Sequence, residues 1–109
     1  EQRQNYAVKK ICDYVYHHMG EEDLSVSVLA EKVYLTPSYL SSLFRKVMGV
    51  TLVQYITDTR MRQACELLKD PQKKLYQIAS EVGYNDTKYF ARQFKKTIGM
   101  TPSEYREKL

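Results

Sequence analysis

The stretch Ile78–Arg106 reads IASEVGYNDTKYFARQFKKTIGMTPSEYR, and its pattern occurs once before, in LAEKVYLTPSYLSSLFRKVMGVTLVQYI from Leu29 to Ile56. At an offset of fifty, Tyr39 matches Tyr89, Phe44 matches Phe94 and Lys46 matches Lys96, while Gly49, Thr51 and Tyr55 match Gly99, Thr101 and Tyr105. Leu40 and Phe90 are similar, as are Arg45 and Lys95. One residue earlier in register, Leu29-Ala30 matches Ile78-Ala79 and Val33 matches Val82, so the second copy is longer by one residue in the turn between. Each copy is a short apolar-faced segment, a turn, a longer segment, a Gly stop and a Thr-led restart.

Local chemistry makes these segments helices. Apolar residues recur at three and four rather than alternating, as in Val8, Ile11, Cys12, Val15 and Met19. Gly20 stops that first helix, and Ser25 caps a short one carrying Val28, Leu29, Ala30 and Val33. Thr36-Pro37 starts the next, because Thr accepts from free first-turn amides and Pro has none to lose there. Leu40, Leu43, Phe44 and Val47 form its expected buried face, and Gly49 ends it. Thr51-Leu52-Val53-Gln54 has capping-box form and opens a long helix to about Lys69, halted by Asp70-Pro71. Leu75 to Val82 is a short helix, and Asp86 caps one through Ile98 with Phe90, Phe94 and Ile98 inward. Thr101-Pro102-Ser103-Glu104 is a second capping box before a last short helix. The expected fold is all-α: seven helices forming two helix-turn-helix subdomains, residues 1–50 and 71–109, joined by a linking helix over 51–70.

In a helix-turn-helix the two helices pack through apolar positions, with small Ala30 and Ala79 allowing close approach, and the second helix keeps its outer face for a major groove. Helical spacing puts Ser38, Ser41, Ser42 and Arg45 on that face in the first copy, and Thr87, Lys88, Ala91, Arg92 and Lys95 in the second. Apart from the cap Asp86 neither face carries an acid, which a phosphate-rich partner requires. Residues 52–69 would span about 27 Å at 1.5 Å per residue, against roughly 34 Å between successive major grooves on one side of a duplex. One linking helix is thus long enough to hold two readers near adjacent turns.

Charge agrees with that partner. The net charge is +4, yet residues 1–58 hold six Lys/Arg against seven Asp/Glu and residues 59–109 hold eleven against six. A basic second half favours a polyanion. With 43% hydrophobic and 28% charged residues in 109, one packed domain or two very small ones is the expectation, not disorder. Apolar runs are far too short for a membrane span and no leader opens the chain, so a cytoplasmic protein is expected. Glu1 in place of Met suggests a piece of something longer. Cys12 and Cys65 read as free thiols of a reducing compartment.

Carried on Ile78-Ala79, Val82-Gly83-Tyr84, Tyr89 through Lys96 and Gly99 through Arg106, the chain resembles the DNA-binding domain of the AraC/XylS family of bacterial transcription regulators. The resemblance covers about residues 6–108 and implies seven helices, two of them recognition helices. It implies base contacts at Ser38, Ser41 and Ser42 in the first unit and at Thr87, Lys88 and Arg92 in the second. We assign Arg45, Lys46, Lys95 and Lys96 to phosphate contacts, with helix C-terminal dipole pairing as the alternative for Lys46 and Lys96. The chain departs from the family in its first turn, where Gly is frequent and Tyr34 stands; a left-handed backbone there would cost Tyr roughly 1 kcal/mol.

The expected function is sequence-specific binding of double-stranded promoter DNA by a bacterial regulator's output domain. The pattern is similar to output domains of AraC-type two-component response regulators, with a metabolite-sensing or stand-alone regulator as the rival. Expected partners are promoter DNA, RNA polymerase and an upstream sensor or receiver domain. The reading from another class is a helical protein-interaction module, which needs an exposed apolar groove. No phosphate loop, nucleophile elbow or carboxylate pair suggests an enzyme, and no cofactor is expected. His17 and His18 diverge by about 100° on a helix and make a poor metal pair, while Asp13 and His17 read as a surface pair. The recurring tyrosines, Tyr39, Tyr55, Tyr89 and Tyr105, read as core or half-buried packing residues rather than stacking platforms for single strands.

Overall fold

The computed structural model describes residues 2–109. They form seven helices: α1 (Gln2–His18), α2 (Val26–Lys32), α3 (Pro37–Met48), α4 (Leu52–Leu67), α5 (Leu75–Glu81), α6 (Thr87–Ile98) and α7 (Pro102–Glu107), and among the described residues there is no strand. Contacts divide the described residues into two compact units, one of residues 2–19 and 23–57, the other of residues 20–22 and 58–109.

In the first unit, Val8, Ile11 and Val15 of α1 recur at three and four and are buried against Leu29 and Ala30 of α2 and Leu40, Leu43 and Phe44 of α3. Ile11, Val15, Leu29, Leu40 and Phe44 are fully buried, each worth about 1.5–3 kcal/mol of apolar transfer. Leu52 and Ile56 of α4 complete this core. The expected caps are present: Ser25 Oγ accepts from Val28 N–H, Thr36 Oγ1 from Tyr39 N–H, and Thr51 Oγ1 from Gln54 N–H. Val47 departs from expectation: it is 41% exposed, because α3 has outrun the core by its last turn. The pairing of Asp13 with His17 also differs in kind, since the ring Nδ1 donates to the Asp13 backbone carbonyl at 2.8 Å.

The second unit repeats the plan. Met61, Ala64 and Leu68 pack with Ile78, Ala79, Val82, Phe90 and Phe94, and Tyr105 meets Phe94 edge-on at 5.7 Å. Asp86 accepts from the amides of Lys88 and Tyr89, and Thr101 and Glu104 form a reciprocal capping box. The linking helix stops at Leu67, two residues before the expected Lys69, because the amides of Lys69 and Asp70 turn to the carbonyls three residues back. Arg106 then covers that end, donating to the carbonyls of Leu68 and Asp70 at 3.1 and 3.0 Å.

The two turns share one hydrogen-bond scheme. Tyr34 N–H donates to Glu31 and Leu35 N–H to Ala30, while Gly83 N–H donates to Ser80 and Tyr84 N–H to Ala79. This paired closure needs a left-handed residue just past the helix. Gly83 supplies it at φ +99° without a Cβ penalty, and Tyr34 adopts it at φ +57°. The first turn therefore keeps the geometry of the second despite its tyrosine, and α3 starts from the same scaffold as α6.

Candidate nucleic-acid interface

Burial of Leu40, Leu43 and Phe44 fixes which side of α3 faces out. Ser38, Ser41, Ser42, Arg45 and Lys46 are all exposed. Ser41, Ser42 and Arg45 come together: with Val26, Thr51, Leu52 and Val53 they line a concavity of about 300 Å³ that contains no acidic side chain. Ser38 and Lys46 do not line it. Lys46 instead borders a second hollow of about 400 Å³ with Gln4, Asn5 and Val47, away from the serines.

On α6, burial of Phe90 and Phe94 leaves Lys88, Arg92, Lys95 and Lys96 exposed, with Thr87 and Ala91 half-buried. The Arg92 guanidinium lies over the Tyr89 ring at 5.7 Å. Past the end of α6, the Glu104 carboxyl is held below the usual glutamate range, chiefly by the Thr101 amide, then the Thr101 hydroxyl, with smaller help from the positive charges of Lys95 and Lys108. The two faces differ in chemistry. Serine hydroxyls are short donors and acceptors with little power to tell bases apart, whereas an arginine fork can bond guanine O6 and N7 together.

The sequence alone assigned no individual role to three residues. Arg60 is 8% exposed, donates to the Glu21 carbonyl at 2.6 Å and lies over the Tyr84 ring at 5.5 Å. Its signal was available: Ile56, Arg60 and Ala64 share one helical stripe, with a charge in the middle of an apolar row. Arg106 stands where the first copy has Ile56, a difference that marks a role peculiar to the second unit. Tyr84 contacts Tyr89 and Phe90 at ring distances of 5.9 and 5.6 Å. Elsewhere, His18 stacks on Tyr14 at 3.9 Å, and among the described residues no three His, Cys, Asp or Glu side chains are grouped to hold a metal. Cys12 and Cys65 are half-buried free thiols, and burial raises the Cys65 thiol above its ordinary range. No helix among the described residues is long and apolar enough to cross a membrane.

Known proteins share this arrangement. The family described as helix-turn-helix domain matches residues 29–108. The arabinose operon regulatory protein of Escherichia coli (strain K12) is 35% identical over 99 residues, which cover 91% of this chain and 34% of that protein. The chain thus spans about a third of the length of that relative. Among solved structures, the C-terminal domain of AraT, a response regulator from Geobacillus stearothermophilus, superposes with a TM-score of 0.92 at 32% identity, over 94% of this chain and 85% of that one. The C-terminal domain of the two-component response regulator yesN from Fusobacterium nucleatum gives 0.87 at 36% identity, over 90% and 95%. By sequence and by fold, the chain belongs to the AraC-type family of helix-turn-helix transcription regulators.

Proposed function

We infer that the chain binds duplex DNA sequence-specifically, placing α3 and α6 each in a major groove, as the output domain of a transcription regulator. The observation that carries this is the repeated unit whose second helix buries one face and presents another, free of acids and, on α6, rich in Lys and Arg. Base contacts are proposed for Ser38, Ser41, Ser42, Thr87, Lys88 and Arg92, and phosphate contacts for Arg45, Lys46, Lys95 and Lys96. The grouping of Arg45 with Ser41 and Ser42 supports its place beside the groove face, and the position of Lys46 among Gln4 and Asn5 makes it the weakest of the set.

Similarity to two response-regulator C-terminal domains supports the same subclass here. A receiver domain upstream and RNA polymerase at the promoter are the partners this adds, with the cytoplasm as the compartment. The role is binding rather than catalysis.

Selection of bound duplexes from a randomised pool tests the reading. Enrichment of two short motifs is expected, with affinity falling about 10³–10⁵-fold between 50 and 200 mM salt if six to ten phosphates are contacted. Absence of binding at low salt would refute it and favour an apolar protein-interaction module, which salt scarcely affects.

A further inference from the structure

Four side chains of the second unit stand in a row. Arg60 lies over Tyr84 at 5.5 Å, Tyr84 meets Tyr89 at 5.9 Å, and Arg92 lies over Tyr89 at 5.7 Å. The row has a fixed base, since Arg60 is buried and bonded to the Glu21 carbonyl. Its far end is the exposed guanidinium on the candidate reading face. Asp86 holds the Tyr89 amide, which sets the first turn of α6 and with it the ring position.

We propose that Tyr89 is a positioning residue for Arg92, holding the guanidinium over its ring by a cation–π contact so that the N–H groups stay available for base reading; this rests on the DNA-binding function inferred above. A guanidinium is drawn to a ring by its charge and hydrogen-bonds through its N–H groups, so the first contact does not consume the second. The cation–π contact with Tyr89 uses no N–H donor, so the groups that would meet guanine O6 and N7 stay unused. It also removes side-chain freedom before DNA arrives, so less is lost on binding.

The first unit is an internal control. Ser42 stands in place of Arg92, Leu35 in place of Tyr84, and the Tyr39 hydroxyl accepts from Gln4 Nε2 at 2.9 Å. With no arginine to position, the equivalent tyrosine is engaged with α1. The row belongs to the unit whose helix carries the strong base reader.

The test compares wild type, Tyr89→Leu, Tyr89→Phe, Arg92→Ala and Tyr39→Leu, each as the full chain. Without DNA, the Arg92 δ-methylene protons should be ring-shifted upfield in wild type and Tyr89→Phe, and return to ordinary values in Tyr89→Leu. Equal shifts in wild type and Tyr89→Leu overturn the proposal without reference to DNA. With duplexes enriched from the randomised pool, Tyr89→Leu should lose about two- to five-fold in preference for the guanine that Arg92→Ala identifies, while its binding to a scrambled duplex is unchanged. Tyr89→Phe should retain the preference, and Tyr39→Leu should leave that guanine unaffected. Equal losses on enriched and scrambled duplexes would mean a structural role and overturn the proposal. So would a guanine preference that survives Tyr89→Leu, although wild-type selectivity would then uphold DNA reading. A wild type that enriches nothing overturns the sequence-specific reading inferred above, and the proposal with it.

Discussion

Tyr34 offers the sharpest test of how the first turn is built. Its backbone sits at φ +57° and its side chain is 93% exposed, so the residue bears a left-handed conformation and buries almost nothing. A residue with a Cβ loses about 1–2 kcal/mol in that region. Glycine removes the loss but gives up about 0.5–1 kcal/mol through the greater freedom of its unfolded chain. Tyr34→Gly should therefore stabilise the protein, by up to about 1.5 kcal/mol. Tyr34→Ala keeps the Cβ and deletes only exposed atoms, so it should lie near the wild type, and the difference between Ala and Gly isolates the backbone contribution. Both variants keep the amides of residue 34 and Leu35 that donate to Glu31 and Ala30. Urea unfolding measures the difference, with hydrogen exchange of α2 and α3 amides assigning it to the first unit. A Tyr34→Gly protein no more stable than Tyr34→Ala would falsify the left-handed turn. The converse, Gly83→Ala at φ +99°, should destabilise the second unit.

Base preference should depend unequally on the two helices: Arg92→Ala should abolish preference at one guanine by about five- to 150-fold, and Ser42→Ala should change selected sequences far less. Equal relaxation in both mutants, measured by repeating the duplex selection, would refute the unequal roles. Arg106→Ala removes two bonds to the carbonyls of Leu68 and Asp70 and should cost about 1–2 kcal/mol, with faster amide exchange at the end of α4. Arg106→Lys should recover only part of this, since an ammonium lacks the fork that reaches both carbonyls. Glu104 is depressed in the folded chain by its bonds to Thr101, so its stabilising contribution is present above the ordinary carboxylate range and lost as pH falls through the folded value. The stability gap between wild type and Glu104→Ala should accordingly shrink on acidification from neutral pH, and a gap that widens would contradict the capping box.

Much of the fold is legible in the sequence because its signals act over one helical turn. Ser25, Thr36, Thr51, Asp86 and Thr101 each accept an amide two or three residues on, and that chemistry needs no distant partner. Spacing of three and four likewise marks Ile11, Val15, Leu40, Phe44, Phe90 and Phe94 as core before any packing is known. The candidate reading faces follow by elimination, as the sides of α3 and α6 opposite those residues. Spacing failed at Val47, which has the right period but sits one turn beyond where neighbouring helices can cover it.

What tertiary structure decided lies in contacts far apart along the chain. Arg60 reaches a carbonyl 39 residues away, and Arg106 one 38 residues away. No local rule foretells which backbone oxygen a long side chain will find. The same holds for Lys46, whose surroundings come from α1 rather than from its own helix. The row from Arg60 through Tyr84 and Tyr89 to Arg92 depends on how the turn angles α5 against α6. By itself the sequence determined the helices, their caps, their repeat and their buried faces, because short-range hydrogen bonds and helical period specify these. Only the packed chain determined which buried arginine anchors the row and that Tyr84 joins it to Tyr89, because Arg60, Tyr84 and Tyr89 meet only after separate segments have closed on a common core.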